Sequence, residues 1–223
     1  DVNNQKAEVI LYRPTGESGD FEKANFPIGV EGGKTSTCPT QNLMEAYDMK
    51  DGTPFVWNNQ SNPYDNRDPR MKYTIVCNEM KWPVDPVEIW EGGTNGLPLQ
   101  NATTTGYYLK KYVNNTISFE AGSTVTKKQH NWVLFRYGEI LLNYAEAMIN
   151  AFHDPNYKDA VYNMSAREAV NQIRGRTNIS LPGFPSDITE KDFVKRLKNE
   201  RRVELAFEGH RFWDVRRWKE LGQ

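Results

Sequence analysis

The sequence predicts a mainly α protein with irregular loops and small β-hairpins, in which tetratricopeptide-like antiparallel helix pairs form the C-terminal part. Three observations carry this. Residues 133–152 repeat apolar positions at helical spacing, with Tyr137, Ile140, Leu141, Tyr144, Ala145 and Met148 on one face. Two further helical segments each open on a capping residue and are separated by short turns. The first 131 residues are rich in Gly, Pro, Asn and Ser, broken only by short alternating runs.

Taken in order, KAEVILY (6–12) reads as a short strand, and residues 13–40 as a long irregular loop anchored by Phe21, Phe26 and Ile28. Thr40 leads into Leu43, Met44, Tyr47 and Met49 at helical spacing, and Asp51-Gly52 stops that short helix. Residues 56–70, rich in Asn, Asp and Pro, favour turns. The alternating run 71–80 predicts a strand, 82–105 a loop, and 106–114 a second strand that pairs with 71–78. The long helix 133–152 follows. Ser165 and Glu168 form a capping box for a helix to about Arg176, with Ala169, Val170 and Ile173 inward. Thr189 caps the next helix, which runs to Phe207 or Glu208; Gly209 suits the left-handed residue after it, and 210–219 begins a last helix. Residues 1–131 thus form a loop-rich region and 132–223 a helical one. One and a half helix pairs bury too little alone, so both are expected to belong to one structural domain of a longer protein.

The segment ERRVELAFEGHRFWDVRRW (200–218) is the chain's most unusual. At about 100° per residue, Phe193, Leu197, Glu200, Glu204 and Glu208 share one helix face, with Arg201 beside them, so carboxylates continue an apolar stripe. Unpaired burial would cost several kcal/mol each, which requires cations opposite them, most naturally arginine forks. Arg136, Arg174, Arg176, Arg211, Arg216 and Arg217 are available. We expect a structural ion-pair network of Glu200, Arg201, Glu204, Glu208, Arg174 and Arg211, with Phe207, Phe212 and Trp213 filling the joint around Gly209.

Net charge is −1, from 28 basic and 29 acidic residues, which leaves no nucleic-acid footprint. Cys38 and Cys77 lack metal-site spacing, leaving one disulfide or two free thiols. No apolar run reaches the roughly 18 residues that span a bilayer. Any export signal or lipid anchor is expected upstream of this sequence. Glu204, Glu208, His210 and Asp214 could be drawn as metal ligands or an acid/base pair, but the spacing is not HExxH and each carboxylate has an arginine to meet. His130 and His153 are expected to be exposed residues flanking a helix, and Asp65 and Asp68 to cap a turn.

With these stretches laid out, the chain resembles the C-terminal half of a SusD/RagB-family protein, the outer-membrane glycan-binding lipoproteins of Bacteroidetes. The likeness is an ordered series: PTQNLMEAYDMKDG (39–52), PYDNRDPRMKYTI (63–75), TGYYLKKYV (105–113), LFRYGEILLNYAEAM (134–148), VNQIRGR (170–176) and residues 200–218. The resemblance implies a helical framework decorated by loops and lipid-anchored, facing outward from the outer membrane. It implies oligosaccharide binding without catalysis or cofactor, and a SusC-type TonB-dependent transporter as partner.

Sugars stack on aromatic rings while planar polar groups bond their hydroxyls. On composition, the candidate ligand-binding residues are therefore Trp57, Asn58, Asn59 and Tyr64 in one loop, and Trp82 and Trp90 in the next. Any one of these tryptophans could instead tuck onto the core. The rival readings are a helical scaffold that docks on the transporter without touching glycan, and a carboxylate-pair glycoside hydrolase.

Overall fold

The computed structural model describes residues 8–58, 62–120 and 126–220. Its helical body begins with a strand. Residues 128–136 form β4 (Lys128–Arg136), which pairs antiparallel with β1 (Val9–Ser18), and helix α4 starts only at Tyr137 and runs to Phe152. The expected start of that helix at 133 is therefore corrected: VLFR follows helical spacing as well as it follows alternation, and the ladder to β1 decides between them. Tyr137 N–H donates to the Glu8 carbonyl at 2.8 Å, tying the first turn of α4 to the base of the ribbon. At Gly138 a β-carbon would lie 2.6 Å from Arg136 Nη1, so a side chain here would displace that guanidinium from its carboxylates.

Helices α5 (Ala166–Arg174) and α6 (Glu190–Glu204) pack on α4. Ser165 accepts from Glu168 N–H, and the Glu168 carboxylate accepts from Ser165 N–H, the reciprocal cap read from the sequence. Thr189 caps α6 through Asp192 N–H. Leu141, Leu142, Ala145 and Ile149 meet Ala169, Val170, Ile173, Phe193 and Leu197 in one core, and the methyl-sized Ala145, Ala166 and Ala169 are fully buried. These helix pairs, with only small strand pairs elsewhere, make the fold mainly α and tetratricopeptide-like, as the sequence predicts.

The loop-rich part holds more order than its composition implies. β1 extends to Ser18 and is followed by α1 (Asp20–Asn25), so the expected loop at 13–40 is only partly irregular. Helix α2 (Gln41–Ala46) starts on Thr40, whose hydroxyl accepts from Leu43 N–H. The strand expected at 71–80 is mostly a helix, α3 (Pro69–Thr74), leaving β2 (Ile75–Val76). Asp68 caps α3 through Arg70 N–H with proline at its start; this local signal outweighs the alternation of 71–75. The second expected strand reduces to β3 (Tyr108–Leu109), which does pair antiparallel with β2. Beyond it Lys110 and Lys111 N–H both donate to the Thr74 carbonyl, which ends the ladder, and Tyr112 follows at a positive φ of 68°.

Two more cores lie under the loops. Phe26, Val76, Trp82, Val87, Tyr108 and Leu109 form one, and Met44, Tyr47, Met71, Ile75, Cys77, Tyr107 and Val203 the other. Both cysteines are free thiols, and burial pushes the Cys77 thiol up to about 12. α6 ends at Glu204 rather than Phe207, and a turn through Gly209, at φ 82°, leads to α7 (Arg211–Arg217). Among the described residues no helix is long and apolar enough to cross a membrane.

Ser165→Ala removes one half of the reciprocal cap on a helix that anchors the main core. Urea unfolding should show a loss of about 1 kcal/mol.

Candidate functional site

Two features stand out: a buried ion-pair cluster on α6, and an aromatic platform beside α2. In the cluster, Glu204 lies where four elements meet. Arg136 from the end of β4, Arg70 from α3 and Arg176 from the loop after α5 each donate to its carboxylate at 2.8–2.9 Å. Glu200, one turn earlier, accepts from Arg70 at 2.5 Å and Arg174 at 2.7 Å. Glu208 accepts from both Arg136 and Lys111. Arg70 also grips Asp68, so every cation here is matched. Burial alone would push Glu204 up, but Arg136, Arg70 and Arg176 hold its carboxyl far below the usual range. The same opposition holds Glu200 and Glu208 down.

Of the six residues expected in this network, Glu200, Glu204, Glu208 and Arg174 are brought together. Arg201 sits apart: its guanidinium grips Asp214 at 2.8 Å and Asn143 at 2.7 Å, clamping α7 and α4 to α6. Arg211 is exposed and forms no ion pair among the described residues, because the turn after α6 starts α7 on the solvent side. The same turn overturns the expected filling of the joint: Phe212 and Trp213 are 54% and 66% exposed, and only Phe207 packs inward. Arg70, which serves both Glu200 and Glu204, was missed. The surplus of carboxylates on the α6 stripe called for such a cation, but nothing in the sequence points across 130 residues to it.

The platform is built by the 53–58 loop. Trp57 is 53% exposed, and its indole N–H donates to Glu45 Oε1 on α2 at 2.7 Å. Phe55 meets it edge-on at 5.1 Å, and the Arg67 guanidinium lies 3.7 Å over the Phe55 ring. Gln41 donates to the same Glu45 oxygen and accepts from the Tyr107 hydroxyl, whose ring meets Tyr64 edge-on at 6.4 Å. Hydrogen bonds from Gln41 and then Trp57 lower the Glu45 pKa. Trp57 and half-buried Tyr64 are therefore linked through α2, and Asn58 is exposed next to Trp57. Asn59 lies outside the described residues. Trp82 is a core residue, 6% exposed, packed with Val76, Val87 and Tyr108, so no sugar can stack on it. Trp90 is exposed in a separate loop.

Beside the platform, a hollow of about 550 Å³ is lined by Glu45, Phe55, Asn199, Arg202 and Arg211 among others. A larger cleft of about 900 Å³ runs between the β1–β4 ribbon and the ion-pair cluster, with Arg136, Arg176 and Glu204 in its lining. His130 lines that cleft. It is half-buried on β4 and 3.0 Å from the fully buried Glu22 carboxylate, not an exposed residue beside a helix. His153, by contrast, ends α4 in the solvent against Glu190. Among the described residues no group of His, Cys, Asp or Glu is arranged to hold a metal ion.

A helical framework locked by buried ion pairs, with aromatic loops on its surface, defines a loop-decorated helical-repeat protein. The chain belongs to the SusD family, whose model matches residues 8–223. It is 37% identical over 91 residues to the SusD-like protein P38 of Formosa agariphila, a stretch covering 38% of this chain and 16% of that protein. Among solved structures it matches a SusD-like protein of Bacteroides fragilis with TM-score 0.77 and 27% identity, covering 98% of this chain and 45% of that one. A SusD-like carbohydrate-binding protein of the same species matches with TM-score 0.77 and 26% identity, covering 95% and 42%. The chain thus spans less than half the length of these structures.

Glu204→Ala removes the carboxylate shared by Arg70, Arg136 and Arg176, the first two of them buried, and should cost roughly 3–5 kcal/mol in denaturant unfolding. The cluster also sets an acid limit. The folded-state pKa values of Glu200, Glu204 and Glu208 lie below the unfolded value of about 4.3, so their stabilisation is complete above that pH and lost as pH falls through the folded values. Thermal unfolding midpoints should be flat in this respect from pH 7 to 5 and fall steeply below about pH 4, less steeply in Glu204→Gln.

Proposed function

We propose that this protein binds oligosaccharides at the cell surface and passes them to a SusC-type TonB-dependent transporter, without catalysing a reaction. The observation that carries the reading is the Phe55–Trp57 platform. Trp57 is about half exposed as a residue while its indole N–H is fixed by Glu45, so an apolar sugar face can stack with little side-chain entropy left to lose. Asn58 lies exposed beside it. Membership of the SusD family, and a similar structure described as carbohydrate-binding, support the same reading. The carboxylates that could suggest a hydrolase are each held by arginine or lysine in the interior, which leaves neither a free base nor a proton donor at Glu204 or Glu208. Attachment to the outer membrane through a lipid anchor outside this sequence completes the proposal.

A second reading, a scaffold that docks on the transporter without touching glycan, is favoured by the exposed Phe212 and Trp213 on α7. Calorimetry against a panel of oligosaccharides separates the two. Binding should be present and weakened at least tenfold by Trp57→Ala, with the thermal midpoint unchanged. Heat on no member of the panel leaves docking alone, and turnover of any chain would refute the non-catalytic assignment.

A further inference from the structure

Arg211 was expected in the buried network and is not there; it lies instead in the hollow beside the platform, together with Arg202. The four carboxylates lining that hollow are all engaged elsewhere. Glu45 holds Gln41 and Trp57, Asp48 faces Arg174 and Arg196, Glu200 is held by Arg70 and Arg174, and Glu220 by Lys198. Among the described residues, neither Arg202 nor Arg211 forms an ion pair. Arg202 is half-buried, and its pKa is lowered by that burial and then by the nearby like charge of Arg211. The Glu45 carboxylate acts on Arg202 from beyond ion-pair distance and is already hydrogen-bonded to Gln41 and Trp57, so the two neighbouring guanidiniums still favour an anion beside them.

The position gives the anion an identity. Phe55 and Glu45, which line the hollow, both touch Trp57. A chain stacked on Trp57 therefore has a side group within reach of a basic recess whose volume admits one monosaccharide. Planar arginine forks match the oxygens of a carboxylate or a sulfate ester, and an uncharged hydroxyl would leave the like-charge repulsion in place.

Resting on the glycan-binding reading above, we infer that the ligand is an acidic oligosaccharide, whose carboxylate or sulfate is held by Arg202 and Arg211 while a neighbouring sugar ring stacks on Trp57. The selectivity is for charge, and it is built into the turn that separates α6 from α7.

The test is calorimetry at low salt with a panel of neutral and acidic oligosaccharides. It includes xylo-oligosaccharides with and without a glucuronate branch, oligogalacturonates, and sulfated galactan oligosaccharides with their desulfated counterparts. The uronate and sulfate arms identify which anion is read. Acidic members should bind at least tenfold more tightly than their neutral partners, and the gap should narrow as salt rises. Arg202→Gln and Arg211→Gln should each lose most of that gap without lowering the thermal midpoint, with Arg202→Lys or Arg211→Lys retaining part of it. Arg211 is exposed, so its variant remains informative even if Arg202→Gln fails to fold. Binding of neutral chains alone, or acidic binding indifferent to both substitutions, would overturn the inference and leave the glycan reading standing. No binding across the panel would remove both.

Discussion

The rest of the fold depends on one constraint: two carboxylates, Glu200 and Glu204, lie on the inward face of α6 where an ordinary helix would carry leucine. Leucine there would ask only for contact. A buried carboxylate asks for a donor at a fixed distance and angle, and each that is missing costs several kcal/mol. The demand is met from α3, β4, the end of α5 and the loop after it, so satisfying α6 fixes the positions of all these elements. The small cores under the loops are thereby held to the helical core by geometry as well as by burial.

This explains how so irregular an N-terminal part can present a surface of defined shape. Asp68 caps α3 and simultaneously orients Arg70 toward Glu200 and Glu204, so a local turn and a long-range ion pair use the same side chain. α2 is tied to α6 through Asn199, which donates to the Ala46 carbonyl. Glu45 on α2 then fixes Trp57. The platform is loop-borne, yet its polar edge is anchored one step from the rigid cluster, which is the arrangement that lets loops vary while a scaffold stays constant.

Much of the helical part was legible because its signals are local. The Ser165–Glu168 box, the Thr189 cap and the 3.6-residue spacing of 137–152 act within a few residues, and each is where it was read. The misread segments share another property. Residues 128–136 and 71–76 carry spacing compatible with more than one state, and their fate was settled by a partner strand or a cap outside the window considered. Trp57 and Trp82 show the same limit at the candidate site. Both sit in Pro- and Asn-containing loops, but one is half exposed and the other closes a core, and composition carries no sign of which.

By itself, then, the sequence determined the helix pairs, their caps, the family and the existence of buried carboxylates that must meet arginine. Those follow from chemistry that acts along the chain. Only the tertiary structure decided which arginines answer, that Arg70 is among them and Arg211 is not, and which aromatic faces solvent. The reason is that a charge pair or a ring contact spanning 130 residues is set by how the elements dock, and an arginine reads the same in the sequence whether it ends in the core or beside an open hollow.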